Sequence, residues 1–246
     1  MKVFVINLAR RPDRLAAITQ DFKDHGISFE RIDAIDAKTN PLLKKFRRPF
    51  FKFLLGKRAY SDGPIANYLS FCKIWQKMVD ENIPSALVLE DDAQISNWDP
   101  AFLKLDIADF GLDLLRLGAN KEPTCQETST PHQTPKIILG RKLVTGQVWG
   151  NVATITTLAA AKKFLRHKKY WFPSDDFQSF EKCFGIKYAI ISPLIWLNSE
   201  SASDIELVKG KLWTVQLLLL KIIKPLRRRL LFPAIHAYLR FKTSLR

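Results

Sequence analysis

Three adjacent carboxylates, Glu90-Asp91-Asp92, follow directly after the apolar run 85–89. The run predicts a buried strand, and ligands of α/β sheets bind at the carboxyl ends of such strands. Crowded carboxylates favour a cation, and Mg²⁺ or Mn²⁺ prefers such oxygen ligands. Because side chains alternate along a strand, we expect Glu90 and Asp92 to share one face, with Asp91 on the other. An acidic turn or a helix cap would give the same tripeptide, so the motif alone leaves both interpretations open.

The elements that must position these acids follow a β-α-β order at the start of the chain. Residues 2–8 and 29–35 have the short apolar pattern of strands, and 12–25 has apolar residues at helical spacing. This opening predicts an α/β fold with a mostly parallel central sheet. Further along, the pattern predicts helices over 65–82 and 158–167, and strands over 85–89, 113–117, 147–157 and 188–191.

Several segments, in the same order along the chain, resemble glycosyltransferase family 25, the lipooligosaccharide galactosyltransferases. The segments are 5–14 (VINLARRPDR), 29–36 (FERIDAID), 63–70 (GPIANYLS), 87–92 (LVLEDD), 146–163, 173–176 (PSDD) and 203–205 (SDI). The resemblance covers roughly residues 1–206 and implies a GT-A-like nucleotide-sugar-binding fold, a UDP-sugar donor, often UDP-galactose, and a divalent metal. Phe71 is a departure, because the family usually has His after the serine that Ser70 matches.

The resemblance gives the polar residues near the predicted strand ends a role in binding the donor. Arginine matches phosphate oxygens with two parallel hydrogen bonds, and polar groups at strand ends could contact the base or ribose. Each of these residues also has a simpler explanation, as a solvated charge, a turn hydrogen bond or a polar helix surface. The predicted donor site comprises Asn7, Arg10, Arg14, Asp33, Asn67, Ser70 and Asp91, and the predicted metal ligands are Glu90 and Asp92.

An inverting sugar transfer also needs a carboxylate base near the acceptor hydroxyl. Asp175 and Asp176 follow Pro173 among aromatic residues, which stack on sugar faces. We therefore predict that the base is one of this pair. A helix cap formed by Ser174 or Asp175 would explain the same sequence, and Glu200 and Asp204 are competing candidates for the base.

The charge distribution divides the chain into a near-neutral body and two basic segments. The formal net charge is +15, yet residues 37–59 and 207–246 carry eight and ten Lys or Arg, respectively, and no acid. Residues 207–246 mix these charges with Leu and aromatic residues, as in helices that lie on anionic lipid. We therefore predict a catalytic domain over 1–206 and a basic amphipathic membrane-associating tail over 207–246. A terminal helix packed on the core is the alternative.

Together with the basic segments, the resemblance implies a hexosyltransferase at the cytoplasmic face of a bacterial inner membrane, acting on a lipid A-linked oligosaccharide. Three widely spaced cysteines without a CxxC pattern suit a reducing compartment. The sequence has no run of about 18 uncharged apolar residues, so no transmembrane helix is expected. Nucleic acid is not an expected partner, because no recognition module is visible. A catalytically degenerate membrane-associated binding protein and a metal-dependent phosphotransferase or nuclease are the rival functions.

Overall fold

The computed structural model of the chain describes residues 1–46, 61–95, 98–119, 137–144, 150–166, 170 and 172–197, with isolated positions 233, 234, 237, 238 and 241. Most of both basic segments, together with Glu200 and Asp204, lies outside the described residues. The predicted division at residue 206 therefore stays a prediction. No helix in the described part of the chain is both long and apolar enough to cross a bilayer.

The predicted β-α-β opening is confirmed. Strand β1 (Lys2–Asn7) is buried along most of its length, α1 (Pro12–Asp24) packs Ile18 and Phe22 inward, and β2 (Glu30–Asp33) lies parallel to β1. Proline at the start of α1 costs no hydrogen bond, because the first amide of a helix has no partner inside the helix. The opening brings the ends of β1 and β2 to one edge of the sheet.

The next helix and strand carry the acidic cluster. Helix α2 (Asp62–Asp80) leads into β3 (Ser85–Glu90), which pairs in parallel with β1. The remaining elements are β4 (Ala93–Ile95), β5 (Leu114–Ala119), β6 (Ile137–Ile138), β7 (Arg141–Val144), β8 (Ala153–Thr157), α3 (Leu158–Arg166), α4 (Phe177–Phe184) and β9 (Tyr188–Leu197). Short 3₁₀ helices occupy Pro41–Phe46, Pro100–Leu103 and Ile107–Phe110.

The sheet is mixed, so the prediction of a mostly parallel sheet is wrong. Its order is β2-β1-β3-β8-β5-β9-β7-β6, with β4 paired to β9. The pairs β1/β2, β1/β3 and β5/β9 are parallel, and the other pairs are antiparallel. The physical reason is β8, which runs antiparallel between β3 and β5 and thereby separates the parallel strands of the opening from those that follow.

Strand β9 is longer than its apolar pattern predicts, because it continues past Pro193 to Leu197. Proline cannot donate to a sheet ladder and is tolerated at a bulge. The register with β5 shifts at this place: Arg116 pairs with Ile190, but Gly118 pairs with Ile195. The irregularity accommodates the proline and lets the end of β9 pair with β4.

Each face of the sheet has its own apolar core, and Phe71 belongs to one of them. Alternate residues of β1 and β3 enter the two cores, with Phe4 and Val88 on the face covered by α2, α3 and α4. Phe71 is 2% exposed in that core, and its ring lies 6.0 Å from the ring of Trp75. The departure from the family's usual histidine therefore falls at a position that packs into the core.

Candidate active site at the ends of strands β1 and β3

The carboxyl ends of β1, β2 and β3 meet at one edge of the sheet. Asn7 is the last residue of β1 and is in register with Asp33 at the end of β2, while Ile6 is in register with Glu90 at the end of β3. Parallel pairing explains this convergence, since neighbouring parallel strands end on the same side. The edge is the site that the acidic tripeptide predicts.

Asp91 and Asp92 lie in a turn beyond the end of β3, and both contact Arg14. The Nη1 atom of Arg14 is 2.9 Å from Asp91 Oδ1 and 3.4 Å from Asp92 Oδ2. Asn7 donates from Nδ2 to Asp91 Oδ2 at 2.8 Å. Strand β3 stops at Glu90, so Asp91 and Asp92 lie beyond the part of the chain to which strand alternation applies. Arg14 is buried rather than solvated, and it offsets part of the negative charge of the turn.

Glu90 lies on the other side of the cluster, next to helix α2. Asn67 of that helix donates from Nδ2 to Glu90 Oε1 at 2.8 Å and accepts from Ser174 Oγ at 2.6 Å. Burial, and after it the charge of Asp92, raises the pKa of Glu90 well above its usual range. Asp175 and Asp91 also raise the pKa, against the lowering effect of the Asn67 hydrogen bond. Glu90 therefore lies in a strongly negative environment that binding of a cation would relieve.

Asp175 approaches this cluster from the loop before α4, and a buried arginine lies beside it. Gly150 donates its backbone N–H to Asp175 Oδ2 at 2.7 Å. Arg116 of β5 is 1% exposed and donates to the carbonyls of Gly118 and Gly150. Sequence analysis missed Arg116. The signal was a single charged residue within the apolar run Leu114–Leu117, which a buried strand tolerates only if the charge is compensated.

Asp176, the other predicted base, caps helix α4. Its Oδ1 accepts from the backbone N–H of Ser179 at 3.2 Å, and its Oδ2 accepts from the Ser179 hydroxyl at 2.8 Å. The alternative that Ser174 or Asp175 caps a helix is therefore wrong, because the N-cap of α4 is Asp176. Burial raises the pKa of Asp176 to about 6, although both Ser179 hydrogen bonds lower it. Of the two acids, Asp175 is thus the one directed toward Glu90.

The capping geometry predicts a stability effect at Asp176. Replacing Asp176 by Ala leaves the first turn of α4 uncapped, so we expect a loss of about 1 kcal/mol in the free energy of unfolding. Asp176→Asn keeps an acceptor and stays uncharged, so its stability should match that of wild type below pH 3.8 and exceed it above about pH 6. Folding raises the pKa of Asp176 from 3.8 to about 6. The protonated side chain therefore stabilises the fold fully below pH 3.8, and this contribution is lost as the pH rises through about 6. Urea denaturation of wild type and Asp176→Asn across this pH range measures the difference between their free energies of unfolding. A difference that does not change with pH would contradict the raised pKa of Asp176.

The remaining predicted donor residues have defined partners. Arg10 donates to Asp36 at 2.7 Å, and Asp33 accepts from Arg31 at the exposed edge. Ser70 is buried, accepts from the backbone N–H of Ile35 and donates to the carbonyl of Ala66, each at 2.8 Å. The geometry therefore gives Ser70 a role in joining α2 to the segment after β2. Arg31 was also missed: it donates to Asn7 Oδ1 at 2.9 Å and so orients the amide that binds Asp91.

The strand-end residues suit a divalent cation that is shared with a substrate. Four carboxylates, those of Glu90, Asp91, Asp92 and Asp175, lie near two buried guanidiniums, those of Arg14 and Arg116. With all six ionised, two negative charges remain. Within the described residues no three acidic, histidine or cysteine side chains form a ready metal cage. This pattern fits Mg²⁺ or Mn²⁺ bound by one or two carboxylates together with phosphate oxygens.

These features define a mixed α/β protein with an acid-rich polar site at the ends of its parallel strands. The family profile described as "Glycosyltransferase family 25 (LPS biosynthesis protein)" matches residues 1–178. The chain therefore belongs to glycosyltransferase family 25.

Similar animal proteins carry the same family name, and some are described as inactive. The chain is 30% identical over 174 residues to a "Glycosyltransferase 25 family member" of Aedes aegypti, covering 68% of this chain and 28% of the relative. It is 28% identical over 174 residues to a "Probable inactive glycosyltransferase 25 family member 3" of Rattus norvegicus, covering 67% of this chain and 29% of the relative. The chain thus spans less than a third of the length of these relatives.

A solved glycosyltransferase, described as involved in glycosylation of the major capsid of PBCV-1, is similar at a TM-score of 0.40 and 11% identity. The match covers 82% of this chain and 93% of that one. A likeness this distant carries no argument about the function of the chain. The bacterial origin expected from the sequence stays a prediction, since the relatives named above are animal proteins.

Proposed function

We propose that the chain transfers a hexose, most simply galactose, from a UDP-sugar to an oligosaccharide acceptor with inversion at the anomeric carbon. The observation that carries this proposal is the convergence of Glu90, Asp91, Asp92 and Asp175 at one strand-end edge of a family 25 glycosyltransferase. A GT-A-like arrangement, in which the nucleotide sugar binds at this edge, is part of the proposal.

Glu90 and Asp92 are the proposed ligands of Mn²⁺ or Mg²⁺, which when bound would neutralise charge on the nucleotide diphosphate leaving group. Asn7 and Arg14 hold Asp91 in place, and Arg14 also contacts Asp92. Asn67 orients Glu90 from the other side. The chain thus fixes all three acids by hydrogen bonds before a ligand arrives, which is how a site avoids reorganisation during the reaction.

Asp175 is the proposed base that removes the proton from the acceptor hydroxyl. It lies near Glu90, while Asp176 is committed to the cap of α4. The hydrogen bond from the Gly150 N–H fixes one carboxylate oxygen of Asp175. Because the carboxylate group is rigid, the same bond also orients its other oxygen. A carboxylate held within reach of a hydroxyl contributes typically 10²- to 10⁴-fold to such a transfer.

The family description "LPS biosynthesis protein" suggests the acceptor class, a lipid A-linked core oligosaccharide. The basic tail 207–246 supports action at an anionic membrane surface, the proposed site being the cytoplasmic face of the inner membrane. Two described aromatic residues of the tail, Tyr238 and Phe241, are 52% and 65% exposed. Exposed rings next to basic residues are typical of segments that insert at the lipid headgroup boundary.

A panel of nucleotide sugars tests the proposed function. The full chain is incubated with UDP-galactose, UDP-glucose, UDP-N-acetylglucosamine, GDP-mannose and a CMP-sugar, each with Mn²⁺, with Mg²⁺ or with EDTA. We expect metal-dependent release of UDP from one UDP-sugar and thermal stabilisation by the same compound. Release of nucleotide from none of them, with no stabilisation, would contradict the proposal.

Truncation after Glu206 tests the membrane assignment. Coulomb attraction to lipid is screened within about 10 Å at 0.1 M salt, whereas apolar insertion resists salt. We therefore expect the full chain to bind anionic vesicles, to bind neutral vesicles weakly and to be partly released by salt. The truncated chain should lose most vesicle binding and keep donor hydrolysis. Unfolding of the truncated chain would show instead that the tail packs on the core.

A catalytically degenerate binding protein is the second candidate, and the names of the inactive relatives favour it. Phe71 gives this candidate little further support, because its side chain lies in the apolar core and not at the strand-end edge. The two candidates differ in the panel experiment. A degenerate protein would be stabilised by a nucleotide sugar without releasing nucleotide from it.

A further inference from the structure

Arg116 is a buried cation that bonds to backbone on two sides. It belongs to β5, an inner strand of the sheet that pairs with β8 on one side and with β9 on the other. Its Nε donates to the carbonyl of Gly118 at 2.6 Å, and its Nη2 donates to the carbonyl of Gly150. The guanidinium carbon lies 5.8 Å from the centre of the Phe177 ring. The planar fork of arginine can hold two carbonyls at once, which the single ammonium of lysine matches poorly.

The position is costly for a charge unless nearby carboxylates compensate it. Burial lowers the pKa of Arg116 to about 10, and the charges of Asp175 and Glu90 act in the opposite direction. The side chain is therefore protonated at neutral pH. A charge maintained at such a position, with bonds to backbone and not to solvent, points to a role in fixing the geometry of its neighbours.

Those neighbours lie on both sides of Asp175. Gly150, whose carbonyl accepts from Arg116, donates its own N–H to Asp175 Oδ2 at 2.7 Å. Phe177, whose ring lies against the guanidinium, is two residues after Asp175 and begins helix α4. Gly150 has φ of 84°, a conformation that glycine adopts at little cost. Arg116 thus holds the carbonyl of the same glycine whose N–H binds Asp175, on the next peptide group along the chain.

We propose that Arg116 is a positioning residue for Asp175, acting through the backbone on both sides of the Gly150 Cα and through the start of α4. The proposal rests on the proposed function in one respect, namely that Asp175 is the base of the transfer. The structural part, that Arg116 maintains the bond between Gly150 and Asp175, is independent of any activity.

The first experiment measures that bond directly. Amide hydrogen exchange at Gly150 is followed by NMR in the full chain, relative to the amides of β1. Asp175→Ala, which removes the acceptor, sets the exchange rate expected for a lost bond. Arg116→Lys keeps the charge that compensates Asp175 and Glu90 but cannot hold both carbonyls, so we expect Gly150 exchange to accelerate toward that of Asp175→Ala. Lys163→Met is the control, because it breaks the partly buried ion pair between Lys163 of helix α3 and Asp113 (2.6 Å), away from this edge.

The second experiment measures the kinetics of Arg116→Lys, of Asp175→Asn and of the double variant that carries both substitutions, with UDP-galactose and Mn²⁺. Arg116→Lys should lower kcat by about 10- to 100-fold, as substitutions of supporting residues commonly do, with the KM for the donor changed less than twofold. Residues that act as a unit give non-additive losses. The double variant Arg116→Lys/Asp175→Asn should therefore be no slower than Asp175→Asn alone, whereas Lys163→Met combined with Asp175→Asn should show independent effects.

The outcomes separate the two levels of the proposal. Unchanged Gly150 exchange in Arg116→Lys overturns the inference, whatever the activity. Losses of kcat that multiply in the double variant also overturn it, because Arg116 would then act apart from Asp175. If wild type releases no nucleotide from any sugar donor, the proposed function fails, and accelerated Gly150 exchange in Arg116→Lys still supports the positioning role.

Discussion

Asp175→Asn should lower kcat for sugar transfer by at least about 10²-fold, which corresponds to roughly 2.7 kcal/mol of transition-state stabilisation. The amide is nearly the same size, and its oxygen can still accept from the Gly150 N–H that binds Asp175 Oδ2. The substitution therefore removes proton acceptance with little change in the position of the group. The KM for the donor should change little, because Glu90, Asp91 and Asp92 keep their contacts. Steady-state kinetics with the most active sugar donor and a saturating acceptor measure both constants.

Asp176→Asn is the matched control, since it makes the same chemical change one residue away. Its oxygen can still accept from the Ser179 amide and cap α4, so we expect kcat to stay close to that of wild type, because the substitution removes no transition-state interaction. If Asp175→Asn retains normal kcat and Asp176→Asn does not, the two roles are reversed. If both retain it, the base is elsewhere, and Glu200 and Asp204 are the next candidates.

The sequence was sufficient to predict the elements whose pattern is local. The apolar runs of β1 and β3, the helical spacing of α1 and the three strand-end acids are all continuous in sequence. Parallel pairing of β1 with β2 and β3 follows from the β-α-β order. Each of these predictions depends on a short apolar run, a 3.6-residue spacing or adjacent residues, which a single segment is long enough to display.

The sheet beyond β3 could not be predicted in the same way. Strands β4 and β6 have three and two residues, too few for a periodic pattern. Strand β4 exists because the distant strand β9 pairs with it, and β6 because it forms a hairpin with β7. The insertion of β8 between β3 and β5 joins segments far apart in sequence. Non-local pairing of this kind leaves no mark on the composition of either strand. The parallel character of the opening therefore did not extend to the rest of the sheet.

At the site, the sequence predicted residue types but not their partners. Arg14 and Asp91 were both expected to bind the donor, yet in the fold they bind each other at 2.9 Å. A charged residue in a sequence looks the same whether it contacts solvent, a ligand or another side chain. Arg116 was missed for the same reason, since one of its backbone acceptors, Gly150, is 34 residues away in sequence and comes close only in the fold.

Asp92→Ala should remove metal-dependent binding of UDP and abolish turnover while leaving the chain folded. Asp92 lies at the end of the strand next to Glu90, and its charge is the largest Coulomb contribution that raises the pKa of Glu90. Loss of a residue that only supports a metal ligand commonly costs 10- to 100-fold in affinity, so loss of a direct ligand should cost at least about 10²-fold. Isothermal titration of UDP in the presence of Mn²⁺, repeated with EDTA, measures the metal-dependent part alone. The fold should survive, because Arg14 keeps its closer contact with Asp91 at 2.9 Å.

Asp21→Asn is the control that separates metal binding from general charge. Asp21 lines the same cleft of about 390 Å³ as Asp91 and Asp92, but its Oδ2 accepts from the backbone N–H of Ile95. The substitution removes one negative charge from the cleft while keeping an acceptor for Ile95, so metal-dependent UDP affinity should stay close to wild type. Equal losses in Asp21→Asn and Asp92→Ala would mean that net charge governs binding. Unchanged metal-dependent affinity in Asp92→Ala would exclude Asp92 as a ligand, and Glu90→Gln would then test whether the cation is bound at this edge of the sheet.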